Sequence, residues 1–210
     1  TLGLVLVVIA GSDLATGNMM LVPLSAMRGK IGIGNVIQNL TLVLLGNLVG
    51  AVVVAFFLAV QTDVIGDAAS QGSPLLTYER LASIAESKTE HTAWETFLRG
   101  VGCNWLVCLA VWMSLAATSV SGKILAIFFP IMAFVAMGFD HVVANMFFVP
   151  AAIWAGVPDI GWGDALWNWM LAGLGNLVGA VIFVATSYWY LFLRDKPEKV
   201  NAAEEPPERA

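Results

Sequence analysis

Residues 46–52 read GNLVGAV, and residues 175–181 read the same seven residues in the same order. A second shared pattern lies upstream of each copy. Gly11-Ser12-Asp13 is followed by Asn18-Met19, and Gly138-Phe139-Asp140 is followed by Asn145-Met146. Both keep a G-x-D-x4-N-M spacing. One heptapeptide is a weak signal in a Gly/Val/Leu-rich chain. Two patterns in the same order at nearly the same offset mark an internal duplication.

The duplication organises the apolar stretches, which run roughly 1–10, 19–27, 35–60, 97–117, 124–139, 141–156 and 166–193. About 20 apolar residues in a helix cross a bilayer. Residues 35–60, 97–117 and 166–193 are long enough to do so. The others form two interrupted pairs, broken at GSDLATGN and at GFDH. Lipid satisfies no free backbone group, so a break at membrane depth must be buried in protein or line a cavity. Breaks in matching positions of two repeats point to a transport site.

The second copy therefore reads as span, broken span, span. The first shows a broken span (1–27) and a span (35–60). A further span is expected before it, so six spans are predicted for the parent architecture, with the first missing from this chain. Three spans per repeat place the copies in inverted orientation. The expected fold class is an all-α membrane protein, an aquaporin-like inverted repeat with a broken second helix in each half. Residues 1–194 are expected to form the transmembrane domain. Residues 195–210, rich in Glu, Pro and Ala, read as a disordered tail.

Composition agrees. Of 210 residues, 59% are hydrophobic and 12% charged, with 8 Trp and 11 Phe. A soluble surface is not built from so few charges, and nothing here suits nucleic acid. Basic residues follow the first broken span (Arg28, Lys30), the fourth span (Lys123) and the last (Arg194, Lys196, Lys199). In a six-span count these share one side, which the positive-inside rule assigns to the cytoplasm with the C-terminus. The expected location is the plasma (inner) membrane, multi-pass. Cys103 and Cys108 fit neither a zinc spacing nor a disulfide framework and read as small buried residues.

Ionisable groups at membrane depth are functional candidates. Asp13 and Asp140 occupy the two breaks, His141 lies beside Asp140, and His91 and Glu95 lie near the start of the fourth span. His141 is the sharpest, since imidazole titrates near neutrality. The first repeat has Leu14 at that position, so the break itself does not require histidine. The aspartates are expected to accept freed amides at the start of the following half-helix, with Asn18 and Asn145 as further break residues. Asn104, Asn47 and Asn176 are lone amides within spans. They either bridge helices or, for Asn104 and Asn176 by preference, face a pore and bind an anion or orient His141. Gly46/Gly50 and Gly175/Gly179 form GxxxG pairs that let helices approach closely. No nucleophile-base set, metal cluster or Walker loop is visible, so no enzyme activity, cofactor or metal is expected.

DLATGNMM at 13–20, GNLVGA at 46–51, CNWLVCLAVWMS at 103–114 and GFDHVVANMFFVP at 138–150 resemble the formate/nitrite transporter family over about residues 1–194. The resemblance implies an aquaporin-like fold, a homopentamer and conduction of small monovalent anions, often with a proton. It places the central pore on His141, Asp140, Asn104, Asn176 and Thr16. It places apolar constrictions at Leu4 and Leu14 toward the cytoplasm and at Phe134 toward the outside, and a vestibule lysine at Lys88. Asp140 stands where the family commonly has Glu. Ala15 stands where the formate-channel pattern often has Phe, a change that widens the inner constriction.

The expected function is passage of formate, nitrite or a similar weak-acid anion, with a proton, by way of His141. A neutral-solute channel of the aquaporin class is the alternative, although its paired Asn-Pro-Ala motifs are missing. A membrane scaffold or sensor that moves nothing is a third reading.

Overall fold

The computed structural model describes residues 1–67 and 76–194, so the 195–210 tail lies outside the described residues. Every regular element among them is helical. The first apolar run forms α1 (Leu2–Ala10), which stops at Gly11 in the left-handed conformation, φ 75°. Glycine takes that conformation without a Cβ penalty. The chain restarts as α2 (Ala15–Met27), bent 47° from α1. Next comes α3 (Ile33–Val53), which runs on through π-helical turns at Val54–Val60. A helix with more polar positions, α4 (Leu76–Thr89), leads to α5 (Ala93–Ala116). The second break separates α6 (Val120–Ala136) from α7 (Val142–Trp154). Finally α8 (Trp162–Ala180) continues through π-helical turns at Val181–Thr186.

Three helical stretches are long and apolar enough to cross a membrane: Ile33–Val60, Ala93–Ala116 and Trp162–Leu193. The bent α1–α2 pair passes as one more, while α6 and α7 are shorter apolar helices either side of a break. The expected alternation of whole and broken spans is thus present. The π-helical turns follow the repeated heptapeptide in both copies, so backbone geometry as well as sequence recurs.

The outside is apolar where a soluble protein is polar. Ile37, Leu42 and Val49 on α3 are each more than 60% exposed. Such a surface is stable against lipid tails or a partner helix, not against water. The interior holds one cluster around Leu4, Met20, Val107, Ile127 and Val184, with Cys103 and Cys108 buried and free. A second cluster packs Ala55 and Ala59 against Ala151 and Ala152 of α7 and Leu81 of α4.

The tightest helix pair is α5 with α8. A Cβ on Gly179 would collide with the Val101 carbonyl, and one on Gly100 would lie 2.8 Å from the Ala172 carbonyl. Backbone thus packs on backbone, the close approach the second GxxxG predicts. Gly46 and Gly50 of the first copy meet nothing within 4 Å among the described residues.

The start of α5 is fixed by a capping box. The Glu95 amide donates to Thr92 Oγ1 at 3.3 Å and the Thr92 amide to Glu95 Oε2 at 2.9 Å. Thr92→Ala is expected to cost about 1 kcal/mol. A lowered midpoint in thermal unfolding of the detergent-solubilised protein checks this, and an unchanged midpoint would remove the cap from the account.

Candidate functional site

The two breaks are stapled alike. In the first, Asn47 donates to the Asp13 carbonyl (3.1 Å) and accepts the Ala15 amide (2.8 Å). In the second, Asn176 donates to the Asp140 carbonyl (2.8 Å) and accepts the Val142 amide (2.9 Å). The asparagine of each heptapeptide thus staples the backbone on both sides of one central residue, Leu14 or His141. Freed backbone groups at a break need such partners, and here the repeat supplies them from the neighbouring span.

The aspartates do something different from what the sequence suggested. Asp13 Oδ1 accepts Asn18 (3.1 Å) and Asp140 Oδ1 accepts Asn145 (2.9 Å), both from side chains. The N-caps of α2 and α7 are Leu14 and His141. Each aspartate stands one residue before its cap, a position from which it does not serve the first-turn amides. Asn18 and Asn145 then tie each break onward to Asn39 (3.0 Å) and Asn168 (2.8 Å).

His141 brings a titratable ring where its counterpart in the first break is Leu14. Its Nδ1 accepts the Ala144 amide at 3.1 Å, making it a side-chain cap. A ring nitrogen that accepts an N–H carries no proton. This arrangement therefore assigns the neutral tautomer with its proton on Nε2. Nε2 lies 2.9 Å from Thr16 Oγ1, so the first repeat touches the centre of the second. Phe134 stacks on the imidazole with ring centroids 6.0 Å apart.

Two cavities meet at His141 and Phe134. One, of about 280 Å³, is lined by Leu4, Leu14, Val107 and Ile131 as well. The other, of about 560 Å³, reaches Lys88, Arg80, Ser87 and Asn145. The first is apolar and the second carries cations. Leu4, Leu14 and Phe134 are brought together with His141, and Lys88 opens on the larger cavity. Thr16 touches His141 without lining either.

Asn104 and Asn176 are placed behind His141 instead of on the cavities. Both are fully buried. Asn104 donates to the carbonyls of Thr16 (3.1 Å) and Asn176 (2.8 Å). Asn176 also donates to the Gly100 carbonyl (2.9 Å). Their amide hydrogens are spent on backbone, the helix-bridging use of asparagine.

A family model described as Formate/nitrite transporter matches residues 1–190. The chain belongs to the formate/nitrite transporter family. A relative named "Probable formate transporter" from Methanothermobacter thermautotrophicus is 46% identical, with 92% of this chain and 73% of that protein covered. A solved structure titled "FNT family ion channel" superposes with a TM-score of 0.81 at 34% identity, over 89% of this chain and 72% of the other. Another, titled "Pentameric formate channel with formate bound", gives a TM-score of 0.75 at 31% identity, over 91% and 79%. The chain is thus a multi-pass, all-α membrane protein of a transporter family, and the aquaporin-class alternative has no support.

Three polar residues of the site were missed from sequence. Asn39 and Asn168 stand 129 residues apart, the offset of the heptapeptides, and that arithmetic alone finds them. Arg99 gave a plainer signal, a permanent cation at the third position of an apolar span. Its Nε lies 3.1 Å from Asp140 Oδ2, and Lys88 Nζ lies 3.2 Å from Asp140 Oδ1. Two cations thus face one buried carboxylate.

Proposed function

We propose that this chain passes small monovalent weak-acid anions, formate or nitrite among them, together with a proton, and that it works as a homopentamer. The observation that carries the reading is His141 lining both a cationic and an apolar cavity, its Nε2 proton held by the buried Thr16 hydroxyl. The relatives named for formate and the pentameric formate-bound channel support the substrate class and the assembly.

The sequence of events follows from charge. An anion is drawn into the larger cavity by Lys88 and Arg80. Passing as an anion through the apolar section at Phe134, Leu14 and Leu4 costs several kcal/mol. Leaving water raises the anion's own proton affinity. The neutral Nε2–H of His141 exchanges its Thr16 partner for the anion, which takes up a proton delivered from the outer solution. The neutral acid then crosses the apolar cavity. Residues 1–194 form the transport unit in this reading. The Lys88 cavity opens outward, and the C-terminus lies in the cytoplasm of a plasma (inner) membrane protein.

Formate and nitrite uptake into liposomes carrying the full-length protein tests it. Saturable flux well above protein-free liposomes, faster under an inward proton gradient, is expected. Fast water permeation without anion flux would overturn the reading.

A further inference from the structure

The two cations on Asp140 are not equivalent. Arg99 binds from α5 with a fixed fork: Nε to Oδ2 at 3.1 Å and Nη2 to the Gly138 carbonyl at 2.6 Å. Its own carbonyl also accepts the Asp140 amide at 3.4 Å. Side chain and main chain of one residue therefore grip the same break. Guanidinium stays charged and its planar fork loses little freedom on binding. Arg99 does not line either cavity at His141.

Lys88 approaches the same carboxylate from the other side. Its Nζ reaches Asp140 Oδ1 at 3.2 Å and the carbonyls of Gly138 (2.7 Å) and Phe139 (2.9 Å). Unlike Arg99, it lines the larger cavity. Asp140 Oδ1 is already served by Asn145 at 2.9 Å. With Arg99 on one oxygen and Asn145 on the other, the carboxylate is satisfied without lysine. In the first repeat, Asp13 Oδ1 likewise accepts from Asn18, but that carboxylate is exposed, whereas Asp140 is fully buried and is the one that calls for a counter-ion.

We propose that Arg99 is the permanent counter-ion of Asp140, a positioning residue that leaves the Lys88 charge uncancelled at the wall of the cavity the anion enters. The inference rests on the anion-transport reading above. Without Arg99, Lys88 and Asp140 would cancel, leaving Arg80 as the uncancelled cation lining this cavity and none at its Asp140 end. The second cation breaks that balance. It does so from a site the anion does not touch, so the attraction is tuned without narrowing the path.

The test is formate flux into liposomes as a function of formate concentration, using the full-length protein with Arg99→Gln, Arg99→Lys and the double variant Arg99→Gln/Asp140→Asn. Losing one unit charge at this range from the anion is expected to raise KM about tenfold in Arg99→Gln, with Vmax changed far less. Arg99→Lys restores KM to within about threefold of wild type, since it keeps the charge and loses the fork. The double variant also recovers, because a neutral residue 140 needs no counter-ion. A wild-type KM in Arg99→Gln, or a double variant as impaired as the single, would overturn the proposal. If Arg99→Gln does not assemble, the double variant decides. Assembly and flux support the counter-ion role, and failure to assemble contradicts it. Wild-type liposomes without formate flux would instead sink the transport reading, and this inference with it.

Discussion

Replacing His141 with Phe is expected to lower formate flux by one to two orders of magnitude. Two hydrogen-bonding functions are lost at once. Nε2–H, the donor now 2.9 Å from Thr16, no longer meets the anion where the two cavities join. A hydrogen bond to a charged group contributes about 1.5–3 kcal/mol, which corresponds to roughly 10- to 150-fold in rate if the bond is made only at the barrier. Nδ1, the cap on the Ala144 amide, is lost as well. That loss costs stability of about 1 kcal/mol and is separable from transport. His141→Asn makes the separation, since Asn is a strong N-cap residue too short to replace Nε2. Slow flux in both variants, with only the Phe protein melting early, is the expected pattern. Unchanged flux and unchanged pH dependence in His141→Phe would remove the histidine from the mechanism.

The duplicated architecture was legible because its staples recur at a fixed offset along the chain. The Asn of GNLVGAV holds the main chain of each break and the Asp of each break holds the Asn five residues on, so each pattern recurs for a contact of its own. His141 stood out for the opposite reason, as a place where the repeats disagree and only one copy carries an ionisable group. What escaped reading depends on helix boundaries and on contacts distant in sequence. The aspartates look like N-caps until α2 and α7 are seen to begin one residue later than such a cap needs. Asn104 and Asn176 are equally suited by type to a pore wall or a helix junction. Only their neighbours, backbone carbonyls on three elements, decide between the two. Arg99 lies 41 residues from Asp140, and no local pattern announces that pairing.

Those distant contacts also identify the substitution expected to do most damage to the fold, Gly175→Val. A Cβ at Gly175 would collide with the Phe97 carbonyl and lie 3.0 Å from both Gly100 Cα and the Val101 amide nitrogen. Every one of those atoms is backbone, so no rotamer change relieves the clash. The helices must separate instead, and overpacking of this kind costs about 1–3 kcal/mol or more. Separation is expensive here because the next residue is Asn176, whose bonds to Gly100, Asp140 and Val142 span the gap between α5, α8 and the second break. Each lost partner leaves a buried polar group, at about 1–3 kcal/mol apiece. Together these losses rival the few kcal/mol by which proteins are stable at all. Gly175→Val is therefore expected to yield no homogeneous species in gel filtration in detergent. Gly163→Ala, on the same helix with nothing within 4 Å, is expected to behave as wild type. A Gly175→Val protein that elutes and melts like wild type would show that α8 does not hold the His141 break in place.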